Sequence, residues 1–270
     1  MISTEKPKSV DLASRKLRTG LIGLGAVSEM HLAAYREATA VEVVAAAEPR
    51  SERLQQMAAE HGFQPYLDYR DMLPAEQLDM VCVLSPVSTH AEIVQDCARA
   101  GVHMLCEKPL AVELQHAQEM IETCDAHGVK LCYGASYRFL PALIRARELI
   151  LDGAIGEVCI LTEQSVGGEG PGQSLPMGPQ HYPPGGPGGT GMGLVDHGIH
   201  LIDTFCWLMD TAVTSVFGRG NLSGEALHTE YLHLEFANNA IAQLLYNDST
   251  FSADLPHEGL FSSGAGWDSD

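Results

Sequence analysis

The chain has 270 residues, 45% of them hydrophobic, which is enough for one large or two modest domains with a real core. Acids outnumber bases 35 to 16, the net charge is −19, and no Lys or Arg follows Arg219. An acidic chain of this kind is a poor partner for nucleic acid or an anionic membrane, and no apolar run is long enough to span a bilayer.

Residues 1–16 are polar and mixed in charge, without the apolar centre of a signal peptide, and are expected to form a disordered lead-in. Apolar strands and amphipathic helices then alternate through residue 134. Strands are predicted at 17–22, 42–47, 79–84, 102–106 and 129–133, and helices at 26–38, 50–61, 89–100 and 112–127. Thr89 and Glu92 stand at capping-box spacing at the start of the third helix. Near-continuous apolar runs such as Met80-Val81-Cys82-Val83-Leu84 imply strands buried on both faces, hence a doubly wound parallel sheet. The seven cysteines (Cys82, Cys97, Cys106, Cys124, Cys132, Cys159, Cys206) are scattered and odd in number, without C-x-x-C. They read as reduced core thiols of a cytoplasmic protein, not a disulfide framework or zinc site.

The first strand runs into Gly23-Leu24-Gly25-Ala26-Val27-Ser28, a G-x-G-x-x-S turn that opens a helix. Gly23 permits the tight turn and Gly25 lets the backbone approach a pyrophosphate. The helix opening near Ala26 and Val27 aims free N–H groups at that anion. Ser28 replaces the usual Gly or Ala but is still small enough for close packing. Glu48, 20 residues beyond Ser28 at the end of the second strand, would accept hydrogen bonds from an adenosine ribose. Its carboxylate favours NAD over NADP, and Arg50 could reverse that by reaching a 2′-phosphate. The plainer alternative is an ordinary glycine turn.

After residue 134 the character changes. A helix at 141–152 precedes a strand at 156–166. A Gly/Pro-rich segment at 167–193, including His181 and Tyr182, reads as a lid or binding loop, or else as a disordered insertion. A buried helix is predicted at 194–209, then β-like runs at 213–220, 229–236 and 240–246, and a final stretch, 250–270, without periodicity. In the helix, Val195, Ile199, Ile202, Cys206 and Met209 form an apolar stripe that Leu194, Leu201, Phe205 and Leu208 extend. Asp196, His200 and Asp203 fall together on the remaining face. Histidine beside carboxylates suits proton transfer near neutrality; the alternative is a buried structural network. A metal reading on His197 and His200 is disfavoured, because the two point about 60° apart on a helix and no H-E-x-x-H motif is present.

Glu107-Lys108-Pro109 directly follows the strand 102–106. Ligands of doubly wound folds sit at the carboxyl ends of strands, and Gly25, Glu48, Ser85 and Lys108 all fall at such ends. Lys108 there can touch both cofactor and substrate; otherwise it is a surface lysine in a turn.

Taken together, these segments resemble the glucose–fructose oxidoreductase / inositol 2-dehydrogenase / MocA family of nicotinamide-dependent dehydrogenases. The matching pieces, in order, are Gly23–Ser28 with His31, Ser85-Pro86 with His90, Glu107-Lys108-Pro109-Leu110, and Tyr137-Arg138-Phe139 with Pro141. Gly153-Ala154-Ile155-Gly156-Glu157-Val158 and the Asp196/His200/Asp203 segment complete them. The resemblance implies a Rossmann domain at 17–134. It implies a second, α/β domain at 135–270 with an open, mainly antiparallel sheet. It places the family's lysine at Lys108, its catalytic histidine at His200 and its substrate-contacting aspartate at Asp196. Gly23, Gly25, Ala26, Val27, Ser28, Glu48, Arg50, Ser85, Pro86, His90, Glu107 and Lys108 would line the cofactor. Lys108, Arg138, His181, Tyr182, Asp196 and His200 would meet substrate. No metal is expected. The Lys108–Pro109 bond is a candidate cis peptide. His31 and His90 are read as packing or capping helices.

The motifs and the resemblance together lead to the expectation of an NAD(P)-dependent dehydrogenase acting on a secondary alcohol of a sugar, cyclitol or related polyol, with no nucleic-acid or membrane partner. The alternative is a non-catalytic dinucleotide or sugar sensor of the same fold. Relatives run longer than this chain, so the second domain is expected to be incomplete at its C-terminal end, leaving a bare sheet edge. With a complete second domain, a homodimer or tetramer is expected.

Overall fold

In the computed structural model residues 15–166, 194, 198–223 and 226–247 are described. The chain divides into two compact units, the first ending at Gly134 and the second beginning at Ala135.

The first unit alternates strand and helix: β1 Leu17–Ile22, α1 Ala26–Glu37, β2 Val41–Ala47, α2 Ser51–His61, β3 Gln64–Tyr66, α3 Tyr69–Ala75, β4 Met80–Val83, α4 Val87–Arg99, β5 His103–Cys106, α5 Leu114–Ala126 and β6 Leu131–Tyr133. The strands form one parallel sheet in the order β3-β2-β1-β4-β5-β6. The order reverses between β1 and β4, so a crevice opens beyond their carboxyl ends, where the Gly23–Gly25 and Ser85–Pro86 loops emerge.

Burial follows from helices on both faces. On one face Val81, Val83, Ile22 and Ala45 pack with Met72 of α3, Ile93 and Val94 of α4 and Met120 of α5. On the other, Leu21, Ala46 and Cys82 pack with Leu32 of α1 and Leu54 and Met57 of α2. Helix α2 ends at Gly62, whose φ of +78° is the left-handed turn that glycine adopts without strain.

Two elements escaped the sequence reading. Strand β3 is three residues long and contains Pro65, tolerated because it lies at the sheet edge and pairs only with β2. Helix α3 is seven residues with Pro74 inside it, and Asp68 caps it by accepting the Arg70 N–H at 2.9 Å. Both are too short to show periodicity. A third reading is corrected: α4 starts at Val87, so Thr89 is inside its first turn. The Thr89 hydroxyl donates to the Pro86 carbonyl at 2.7 Å and shares a hydrogen bond with Ser85 Oγ at 2.8 Å, and Glu92 pairs with Arg70, so no capping box forms. Arg15, placed in the lead-in by its composition, is instead tied to Asp79 through two guanidinium nitrogens. Residues 1–14 lie outside the described residues, as do 167–193 and 248–270.

The second unit holds a 3-10 turn at Tyr137–Phe139, α6 Pro141–Leu151, β7 Ile160–Val166, α7 Gly198–Met209, β8 Val213–Ser223, β9 Ala226–Phe236 and β10 Ile241–Asn247. Its sheet is mixed, in the order β7-β10-β9-β8: β9 is antiparallel to both neighbours, and β10 runs parallel to β7. Strand β7 begins four residues later than expected, because Gly156 turns the chain with φ +74°. The core joins Leu201 and Phe205 of α7 to Leu232, Leu234 and Phe236 of β9 and Ala242 and Leu244 of β10. The deepest face of α7 is therefore Leu201–Phe205–Leu208, joined by His200 and Thr204, while Ile202, Cys206 and Met209 are only partly covered. His200 is thus inside the packed face and not on a separate polar one.

Candidate functional site

The glycine turn does what its residues dictate. Gly23 has φ +97°, and a Cβ on it would lie 2.8 Å from the Ser85 nitrogen and 2.9 Å from the Leu84 carbonyl, both immovable backbone. Only glycine lets the β1 and β4 loops meet this closely. Gly25 differs. A Cβ there would meet nothing within 4 Å, so the space beside it is open to a ligand. Among the described side chains none caps the start of α1, leaving its first N–H groups, near Ala26 and Val27, for an anion. Ser28 is fully buried and its hydroxyl donates to the Gly25 carbonyl at 2.6 Å, so the third fingerprint position keeps the turn closed without an orphaned hydroxyl. The cradle fits a dinucleotide pyrophosphate.

Glu48 is only 3% exposed and is turned onto the same loop. It accepts the Leu24 N–H at 2.9 Å, the Arg50 N–H at 3.0 Å and the Arg50 guanidinium at 2.7 and 3.1 Å. Burial pushes its pKa up, but the Arg50 side chain, the two N–H groups and the Arg50 charge outweigh that and hold it below the usual carboxylate range. The acid expected to meet a ribose therefore first organises the glycine loop, with Arg50 over it. Arg53 adds a second bond, from Nε to the Leu24 carbonyl at 3.0 Å.

At the ends of β4 and β5, Ser85 is half-buried, Pro86 is exposed and Lys108 is half-buried. The Lys108–Pro109 peptide is cis. Glu107 accepts the Lys108 N–H at 3.0 Å and pairs with His31 Nε2 at 2.8 Å. Burial raises the Glu107 pKa, yet His31 and Lys108 together keep it below the ordinary range. His90, 1% exposed, faces the Ser85 carbonyl with Nε2 and the Pro109 and Leu110 carbonyls with Nδ1. Burial is the largest influence on this ring and lowers its pKa, against those carbonyls and the Glu107 charge. One expectation changes here: His90 cannot line the cofactor directly, because it is buried with both nitrogens on backbone. Of the two alternatives for His31 and His90, the structure shows packing, against strand-end loops, and not helix capping.

In the second unit, His200 is 7% exposed and its ring stacks on Tyr137, with centroids 4.3 Å apart and planes 9° from parallel. The Thr204 hydroxyl donates to the His200 carbonyl at 2.8 Å. Arg138 grips the Asp203 carboxylate with Nε and Nη2, fixing the 3-10 turn on α7. Arg138 is thus given a protein carboxylate as partner, and Asp203 is committed to it. Glu230, buried on β9, accepts the Leu194 N–H at 3.1 Å just ahead of α7. Tyr137 and Glu230 received no role from the sequence. Glu230 had a signal: it shares strand parity with Leu232, Leu234 and Phe236, so an acid stood where an inward apolar residue was due. Asp196, His181, Tyr182 and His197 lie outside the described residues. Among the described residues no group of three or more His, Cys, Asp and Glu is gathered as for a metal.

Known proteins sharpen this picture. Residues 17–135 match the model of an oxidoreductase family with an NAD-binding Rossmann fold, and residues 143–256 match the GFO/IDH/MocA C-terminal domain. The chain belongs to the GFO/IDH/MocA family. It is 36% identical over 143 residues to D-apiose dehydrogenase of Paraburkholderia graminis, covering 53% of this chain and 38% of that protein. It is 32% identical over 209 residues to D-glucoside 3-dehydrogenase of Escherichia coli, covering 76% of this chain and 58% of that one. The chain thus spans between about a third and two thirds of the length of these GFO/IDH/MocA relatives. Among solved structures, the WlbA dehydrogenase of Bordetella pertussis, in complex with NADH and UDP-GlcNAcA, superposes with a TM-score of 0.79 at 25% identity, covering 89% of this chain and 69% of that one. The first unit is an NAD-binding Rossmann domain of this family.

Proposed function

We propose that the protein is an NAD(P)-dependent dehydrogenase of a secondary alcohol on a sugar, cyclitol or related polyol. The observation that carries the reading is the open side of Gly25 above an uncapped helix start, in the same unit as Lys108 at the end of β5. The activities for which the relatives are named, on apiose and on a glucoside, support the substrate class.

In this reading His200 takes the hydroxyl proton onto its imidazole, and Lys108 stabilises the alkoxide that forms. Asp196 bonds a substrate hydroxyl or orients His200. NAD held at the Gly23–Ser28 turn would supply the acceptor for the hydride that leaves the alcohol carbon as His200 takes the hydroxyl proton. Tyr137 holds the His200 ring flat by stacking, and the Arg138–Asp203 pair keeps that turn in place. Glu48 and Arg50 set the adenosine end, with NAD favoured and NADP accepted. With a complete second domain the protein would act as a homodimer or tetramer, in the cytoplasm.

The test is nicotinamide reduction by purified protein across a polyol panel. His200→Ala and Lys108→Met should each lower turnover by at least about a hundredfold. Retained turnover in both would remove these residues from the mechanism. NADH binding without any turnover, together with a co-purifying partner, would favour the sensor reading.

A further inference from the structure

Lys108 stands on a short segment, Glu107–Leu110, whose backbone is held mainly from outside its own strand. From one side comes α1: His31 Nε2 lies 2.8 Å from one Glu107 oxygen, and the other Glu107 oxygen accepts the Lys108 N–H at 3.0 Å. From the other side comes α4, where the His90 ring spans the Ser85 carbonyl at 2.8 Å and the Pro109 and Leu110 carbonyls at 3.0 and 3.3 Å. From below comes Gly134, whose N–H donates to the Cys106 carbonyl at 2.8 Å and whose missing side chain leaves room for Glu107 and Lys108. The His31 and Glu107 side chains are each 16% exposed, and His90 is nearly sealed.

The placement is economical in one respect. His90 sits between the loops that follow β4 and β5, with Nε2 on the Ser85 carbonyl and Nδ1 on the Pro109 and Leu110 carbonyls; these oxygens only accept, so the neutral ring donates from one nitrogen at a time, and from Nδ1 it binds the Pro109–Leu110 backbone. His31 meets the one carboxylate that also receives the Lys108 backbone. The two rings come from different helices and converge on residues flanking the same lysine.

We propose that His31 and His90 are positioning residues for Lys108, His31 acting through Glu107 and His90 through the Pro109–Leu110 backbone. This rests on the reading of Lys108 as the group that meets substrate. Neither histidine touches cofactor or substrate. Both fix where the lysine stem leaves the sheet, so that the amine does not have to be ordered anew at each turnover.

The chain has five lysines, at positions 6, 8, 16, 108 and 130, which makes the lysine itself a reporter. Reductive 13C-methylation of the full chain gives each lysine its own NMR signal, and the modification rate at each is read by mass spectrometry. In His31→Phe and in His90→Phe, the Lys108 signal should move and its modification rate should rise several-fold, while the other four lysines keep theirs. His31→Gln, which can still donate to the Glu107 carboxylate, should restore much of the wild-type behaviour. NADH affinity should hold, and where a polyol is turned over kcat should fall with little change in the KM for NAD. An unchanged Lys108 signal and rate in both phenylalanine variants would overturn the proposal and leave the histidines as packing. Should His90→Phe not fold, His31→Phe and Glu107→Gln, which removes the carboxylate between His31 and Lys108, decide by the same readout. The lysine signals do not depend on turnover. A protein that turns over no polyol but shows the Lys108 response keeps this inference and loses the dehydrogenase reading.

Discussion

Strands β4 and β10 occupy equivalent places, each with a hydrogen-bonded neighbour on both sides, yet they bury their side chains differently. In β4, Val81, Cys82 and Val83 are all fully buried, because helices lie on both faces of the first sheet. In β10, Ala242 and Leu244 are buried against α7, while Gln243 and Leu245, on the opposite face, are only half-covered. Among the described residues the first sheet carries helices on both faces and the second carries α7 on one. A doubly covered sheet can bring several loops to one end with little freedom, which is what a cofactor cradle needs. A singly covered sheet supports one helix well, and that helix carries His200.

The contrast can be broken most severely at Gly23. Gly23→Ala forces a Cβ into backbone at a positive φ and should cost at least about 3 kcal/mol by urea denaturation, with loss of NADH binding. Next, Leu244→Ala should cost about 3 kcal/mol and its neighbour Leu245→Ala less than about 1 kcal/mol, since only Leu244 faces α7. In β4 the adjacent pair Cys82→Ala and Val83→Ala should cost similar amounts, about 1–2 kcal/mol each, because both faces are covered. A large Leu245 effect would show that the second sheet is covered on its other face as well. Gly25→Ala sharpens the picture from the other direction. Its stability should stay within about 1 kcal/mol of wild type, because the added carbon meets no protein atom, while NADH affinity by fluorescence titration falls at least about tenfold.

The smallest effect concerns acid. Glu48, Glu107 and Asp79, all in the first unit, are held below their ordinary pKa values by the partners that bind them. Their contribution to stability is present above the unfolded-state values, about 4, and is lost as pH falls through the lower folded-state values. Urea midpoints should therefore drop as pH falls below about 4. In Glu48→Gln the fall should be shallower, because that group no longer titrates.

Much of this was legible in the residues. The glycine turn, the doubly wound order of strand and helix, the lysine at the end of β5 and the later buried helix all follow from local periodicity and turn chemistry. Which partner a side chain takes is not written in local pattern. Thr89 and Glu92 had capping spacing, but Pro86 and Ser85 drew the hydroxyl and Arg70 drew the acid. Spacing groups His200 with Asp196 and Asp203 on a polar face, whereas packing turns it inward against Tyr137. Strand β3 and helix α3 were too short to leave a period.

By itself the sequence determined the longer strands and helices and which turn must be glycine, since backbone sterics and hydrophobic period act within a few residues. Only the tertiary structure decided that Glu48 folds onto the Leu24 N–H, that two histidines grip the Lys108 loop and that Tyr137 covers His200. Those contacts join positions far apart in the chain, and a polar group buried on folding must take whichever partner the packed elements bring within hydrogen-bonding reach.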